Sequence, residues 1–148
     1  MSIDIQKPPI EVLLVEDNLA DIQLTTEGLA EGNIRPNVTV VRDGEEAMKY
    51  LKRNGRYSEA PRPQLILLDL NLPKKSGREV LAELKQDPDL KCIPVLVLST
   101  SRAPQDIQSS YRLHANCYLV KPSNIEEFGA TVRSIEDFWL TRAKLPTL

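Results

Sequence analysis

The sequence predicts an α/β domain: a parallel sheet of five strands in the order 2-1-3-4-5, doubly wound by helices on both faces. Two observations carry this expectation. Five short apolar runs recur along the 148 residues: VLLVE (12–16), VTVV (38–41), LILLD (65–69), VLVLS (95–99) and CYLV (117–120). Leu65, Ile66, Leu67 and Leu68 offer no polar face, as expected of a strand covered on both sides. Segments of helical period lie between the runs, and that alternation specifies a parallel sheet with crossover helices. Right-handed crossovers and a chain of this size favour the five-stranded doubly wound form. The whole chain, 1–148, reads as one domain with a core over about 10–143 and short tails.

The helices follow in order. Leu19, Ile22 and Leu29 share a face, then Ala47, Met48 and Leu51, then Val80, Leu81 and Leu84. Pro104 suits a first helical position and opens a shorter helix through Ile107 and Tyr111. The last helix carries the clearest stripe, Ile125, Phe128, Val132, Ile135 and Trp139, at i, i+3, i+7, i+10 and i+14. Asp43 with Glu46, Ser76 with Glu79, and Ser123 with Glu126 each match a cap residue followed by an acid three places on. RNGRYSEAPRP (53–63) reads as a peripheral polar loop, and there is no internal repeat.

Composition excludes several classes of function. A net charge of −2 argues against binding driven by phosphate neutralisation along a nucleic acid. No stretch approaches the ~20 apolar residues that span a bilayer, and MSIDIQKPPI lacks the apolar centre of a signal peptide. Cys92 and Cys117 read as reduced thiols of a cytoplasmic protein. The single histidine, His114, rules out a histidine-rich metal site and has no evident partner for work as a base.

Ligands of doubly wound sheets bind beyond the carboxyl ends of the strands, where the winding reverses. Here that point lies between the first and third strands. The first strand ends in Glu16 and Asp17, the third in Asp69, the fourth in Ser99, Thr100 and Ser101, and the fifth runs into Lys121 and Pro122. Two carboxylates ~5 Å apart repel by ~3 kcal/mol at an effective dielectric of about 20, so a cluster of three needs protons or a cation. All-oxygen donors suit Mg²⁺. A metal beside one carboxylate, an ammonium opposite and a hydroxyl nearby form a site for a phosphoryl group on that carboxylate, as an acyl phosphate.

With these residues in this order, the sequence resembles the receiver domain of two-component response regulators across nearly its whole length. The matching elements are Glu16-Asp17, Asp69 with Pro73 and Gly77 behind it, Ser99, and Lys121-Pro122. The resemblance implies a CheY-like, flavodoxin-like (βα)5 fold and phosphorylation of Asp69 by a histidine kinase. It further implies Mg²⁺ (or Mn²⁺) bound by the carboxylates of Asp17 and Asp69, by Asn71 through its backbone carbonyl, and by Glu16 through water. It places the aromatic switch position at Tyr118, acting with Ser99, and makes the Lys121-Pro122 bond cis. Glu16 stands where aspartate is commoner, Ser76 replaces a frequent aspartate, and Cys117 takes a position often given to glycine. RPQLILLDLNLPKKSGREVLAE, NCYLVKPSN and IEDFWL narrow the resemblance to the small stand-alone regulators paired with cyanobacterial and bacterial phytochromes.

Two other classes fit less well. A haloacid-dehalogenase-type phosphatase wants a second acid two residues after its nucleophile, where this chain has Asn71. A flavodoxin-like electron carrier wants a hydroxyl- and glycine-rich loop after the first strand, where EDNLAD would repel a flavin phosphate. The expected protein is thus a signalling phosphoacceptor, catalysing only its own phosphotransfer and dephosphorylation. With no effector segment after the fifth helix, its output is expected to be a protein–protein contact. Phe138, Trp139 and Leu140 are adjacent and cannot all face the sheet. Trp139 is expected to continue the core stripe with Phe138 and Leu140 flanking it, an apolar face that either the tail LTRAKLPTL folds back over or a partner covers. The resemblance to dimerising phytochrome-linked regulators implies the second, a homodimer interface of Phe138, Trp139 and Leu140 on the fourth helix, fifth strand and fifth helix, to which the chain's C-terminus contributes.

Overall fold

The computed structural model describes residues 8–147. Its strands are β1 (Glu11–Val15), β2 (Asn37–Val41), β3 (Leu65–Leu68), β4 (Val95–Ser99) and β5 (Cys117–Val120). They form one sheet in the order β2-β1-β3-β4-β5, every pair parallel, with Val15 level with Leu68 and Ser99 level with Val120. The helices are α1 (Leu19–Ala30), α2 (Gly44–Leu51), α3 (Gly77–Gln86), α4 (Pro104–Arg112) and α5 (Ile125–Ile135). The predicted fold class and strand order are therefore present, with strand ends within a residue of the apolar runs. Glu16 and Asp69 fall just past their strands, yet their N–H groups still join the ladder, donating to Val41 O and Val15 O, each at 3.0 Å.

Strand residues alternate between two cores. Leu13, Val15, Ile66, Leu68, Val95 and Val97 pack with Ala47, Met48, Leu51, Val80, Leu81 and Leu84 of α2 and α3. Val12, Leu14, Leu65, Leu67, Leu96 and Leu98 pack on the other side with Leu29 of α1 and Phe128, Val132 and Ile135 of α5. With both faces covered, every side chain of β3 and β4 is buried, which explains their apolar runs. On the α1–α5 side the helices approach so closely that a Cβ on Gly28 would come within 2.6 Å of Val132 Cγ1.

Several local expectations are corrected. Asp43 and Ser76 cap α2 and α3 as expected, but α5 is capped by Asn124, not Ser123. Asn124 is extended, and its Oδ1 accepts from the N–H groups of Glu126 and Glu127. Ile125 is therefore the first helical residue and stands 69% exposed, outside the buried stripe to which its spacing assigned it. The loop 53–63 is more than periphery: Gly55–Tyr57 form a 3₁₀ turn, and Tyr57 packs edge-on to buried Tyr50 with centroids 5.2 Å apart. Among the described residues every peptide bond is trans, Lys121–Pro122 included, so the implied cis bond is not found. The trans form is the intrinsically preferred isomer even before proline.

The end of α5 differs most from the sequence expectation. After Ile135 the chain continues as a π-helical segment, Glu136–Arg142, in which Ala143 N donates to Phe138 O. The wider turn places Leu140, five residues after Ile135, at the next core position, where it is 2% exposed. Trp139 is half-buried against the same core, and Phe138 is 52% exposed with its ring edge-on to Trp139. Leu140 is thus a core residue and not part of an outer surface. Leu145 of the tail also packs against this core.

Candidate functional site

The strand ends bring the acidic residues together. Glu16 and Asp69 are buried, Asp17 is half-buried, and one carboxylate oxygen from each lies within 4.8 Å of the others. Turn geometry sets Asp69 in place. Its Oδ1 accepts from Asn71 N at 3.1 Å, and Gly77 N donates to Leu70 O at 3.0 Å, folding the loop back to start α3. A Cβ on Gly77 would lie 2.2 Å from the Asp69 carbonyl oxygen, so only glycine permits this close return. Gly44, beginning α2, approaches the same loop, and its N–H donates to Pro73 O at 3.4 Å.

Lys121 enters from β5. Its ammonium is 2.5 Å from Glu16 Oε1, 3.0 Å from Asp21 Oδ2 and 3.1 Å from Asp69 Oδ2. Burial alone would lower the lysine's pKa, but the bond to Glu16, the charges of Asp69 and Glu16 and the bond to Asp21 outweigh it and raise it. Glu16 responds in the opposite sense to an ordinary ion-paired acid. Burial, together with its neighbour Asp69, raises its pKa from 4.5 to about 7 despite the lysine. One ammonium among the four carboxylates of Glu16, Asp17, Asp21 and Asp69 leaves net negative charge in a largely buried site, which is the condition a divalent cation relieves. The oxygen-only donors of Glu16, Asp17 and Asp69 fit Mg²⁺ or Mn²⁺.

Of the remaining expected residues, Ser99 and Asn71 follow the neighbouring strand ends, and Tyr118 reaches the loop after β4. Ser99 is fully buried at the end of β4, and its Oγ accepts from Ser101 N at 3.2 Å. Tyr118 is half-buried, its hydroxyl donating to Ser101 O at 2.8 Å. Asn71 is exposed beside Asp69. Phe138, Trp139 and Leu140 belong to the end of α5 and not to this crevice. His114 sits between α4 and the beginning of β5, at the opposite edge of the sheet. Asp21 is the group sequence reading missed. It stands four residues after Asp17, and α1 begins soon enough, with Asn18 as its cap, to turn that side chain back to Lys121. An acid in the first turn of the first helix was the available signal.

Comparison with known proteins agrees with this geometry. The family model for the response regulator receiver domain matches residues 12–133. Response regulator Rcp1 of Synechocystis sp. is 52% identical over 143 residues, covering 97% of each chain. Among solved structures, the phosphorylated cyanobacterial phytochrome response regulator RcpA superposes with a TM-score of 0.92 at 56% identity, covering 95% of this chain and all of that one. The Mn²⁺-bound form of Rcp1 superposes with a TM-score of 0.92 at 52% identity, covering 94% of this chain and 100% of that one.

Proposed function

The chain belongs to the response regulator receiver family, and from that membership we propose that Asp69 accepts a phosphoryl group from a histidine kinase, phytochrome-type in this case. The observation that carries this reading is the contact of Lys121 with both Asp69 and Glu16 at the switch point of the sheet. In the proposed transfer an Asp69 carboxylate oxygen bonds to phosphorus as the P–N bond of the phosphohistidine breaks, and the electron pair leaves with the imidazole. Lys121 then pairs with a phosphoryl oxygen as a point charge. Mg²⁺ or Mn²⁺ would be held by Asp17, Asp69, the Asn71 carbonyl and, through water, Glu16, and it supplies positive charge to the transferring group.

Ser99 and Tyr118 form the switch in this reading. The Ser99 hydroxyl turns to the phosphoryl group, and Tyr118 moves into the space it leaves. The protein is a signalling protein of one receiver domain, 1–148, and its only catalysis is its own phosphotransfer and dephosphorylation. Its output is protein–protein contact, without direct nucleic-acid or membrane binding. The site of action in this reading is cytoplasmic; among the described residues no helix is long and apolar enough to cross a membrane. We place a homodimer interface on α4, β5 and α5, with exposed Phe138 as its apolar contact and Leu140 holding the segment from inside.

Phosphotransfer profiling tests the assignment. Labelled histidine kinases, a phytochrome kinase among them, are mixed with the wild type and with Asp69→Asn. Rapid label transfer to the wild type alone is expected, and equal labelling of Asp69→Asn defeats the reading.

A further inference from the structure

We infer that Asp21 is a positioning residue for Lys121: it draws the ammonium toward α1 and so limits how tightly the crevice holds a phosphoryl group on Asp69. The inference rests on the receiver reading above and adds the residue that tunes the strength of that hold.

Lys121 meets three carboxylates with the three N–H groups of its ammonium: Glu16 at 2.5 Å, Asp21 at 3.0 Å and Asp69 at 3.1 Å. The three acids are not equivalent. Glu16 and Asp69, with Asp17, offer oxygens that lie within 4.8 Å of one another, the trio able to share a cation. Asp21 is outside that trio and comes from a helix, not from a strand end. Its side chain is 22% exposed, against 3% for Glu16 and 9% for Asp69, so it stands on the solvent side of the ammonium.

The start of α1 fixes Asp21 there. Asn18 caps the helix, its Oδ1 accepting from Asp21 N at 3.0 Å and its carbonyl from Ile22 N at 2.9 Å. These bonds belong to the helix and not to the crevice, so the backbone of Asp21 keeps its place whichever group Asp69 carries. An acid in the first turn is also favoured by the helix dipole, which keeps the carboxylate charged.

Charge then separates the effect of Asp21 on the two ligands of the site. A cation gathered by Glu16, Asp17 and Asp69 offsets their charges and takes Glu16 from the lysine, but it leaves Asp21 bonded to the ammonium. A phosphoryl group raises the negative charge at Asp69 from one to about two. Asp21 opposes that group twice, as a nearby like charge and as a rival acceptor for Lys121. The same charge favours the cation. Removing it should therefore tighten the hold on the phosphoryl group and loosen the hold on the metal. Damage to the structure would weaken both.

Beryllofluoride, a phosphoryl mimic, tests this on the whole chain by titration calorimetry at saturating Mg²⁺, with Mg²⁺ affinity measured separately. Asp21→Asn and Asp21→Ser should bind beryllofluoride roughly three- to tenfold more tightly than the wild type, as expected for a partly exposed charge at this range. Their Mg²⁺ affinity should fall roughly two- to fivefold by the same interaction. Asp21→Glu, which keeps the charge, should stay close to the wild type in both. Glu27→Gln removes an equal charge from an exposed position farther along α1 and should change neither. Unchanged or weaker beryllofluoride binding in folded Asp21→Asn and Asp21→Ser overturns the inference and leaves the receiver reading intact. So does an equal gain in Glu27→Gln, which would trace the effect to net charge alone. Failure of the wild type itself to bind beryllofluoride overturns both.

Discussion

The Lys121 ammonium lies 2.5 Å from Glu16 Oε1, closer than its 3.1 Å contact with Asp69 Oδ2, although Glu16 stands 105 residues away in the chain. The lysine serves the whole acidic crevice and not the proposed acceptor alone. An entering phosphoryl group must therefore compete with Glu16 and Asp21 for the same ammonium, and a cation that takes over Glu16 leaves Asp21 as the remaining competitor.

The acceptor assignment predicts that Asp69→Asn abolishes labelling by acetyl phosphate, while Glu16→Ala retains part of it. The contrast follows from geometry: Glu16 supports the site, whereas Asp69 sits where β3 meets the lysine. Phosphate incorporation followed by radiolabel or phosphate-affinity gel checks both variants.

Labelling should require Mg²⁺ or Mn²⁺ and stop in excess chelator. Asp17→Asn should weaken metal affinity by roughly 10–100-fold, and Glu16→Gln by less, because Asp17 is the proposed direct ligand. Titration calorimetry with Mg²⁺ measures both, and full phosphotransfer under chelation would contradict the account.

Glu16 gives the protein a pH dependence. Its folded pKa, about 7, lies above its ordinary 4.5, so between these values the folded state holds a proton that the unfolded state has lost. Stability in chelator should therefore be greatest at the acid end of that window and fall as pH rises through 7, by on the order of 1–3 kcal/mol. The raised pKa of Lys121 adds no slope there, because its stabilisation is fully present throughout. Urea melts at pH 5.5 and 8 should show the loss in the wild type and not in Glu16→Gln. Mg²⁺ affinity should rise over the same interval, as the metal displaces that proton.

Gly77→Ala should damage both fold and site. The added methyl meets a backbone oxygen, which cannot swing aside as a side chain would. A stability loss of about 1–3 kcal/mol is expected, with slower labelling of Asp69, read by denaturant melts and acetyl phosphate kinetics.

For the homodimer, Phe138→Glu should shift the protein to monomer in sedimentation without loss of fold, since Phe138 is 52% exposed. Leu140→Ala should instead cost about 2–5 kcal/mol of stability, as a buried leucine truncation does. A wild type that stays monomeric at high concentration, phosphorylated or not, defeats the interface.

Much of this protein was legible in its sequence because the relevant signals are local. Apolar runs buried on both faces declare the strands, and a parallel sheet of alternating strands and helices delivers whatever follows each strand to one edge. Glu16, Asp17, Asp69, Ser99 and Lys121 were therefore brought together by position alone. The reach of side chains across that edge needed the tertiary structure. Whether Lys121 meets Asp21 depends on where α1 begins and how it is rotated, and whether Arg78 meets Asp106 depends on how α3 lies against α4. The burial of Leu140 depends on a π turn that breaks the 3.6-residue period from which Trp139 was expected to continue the core. Periodicity assigns a face only while the helix keeps its pitch, and packing between elements decides which long polar side chains find one another.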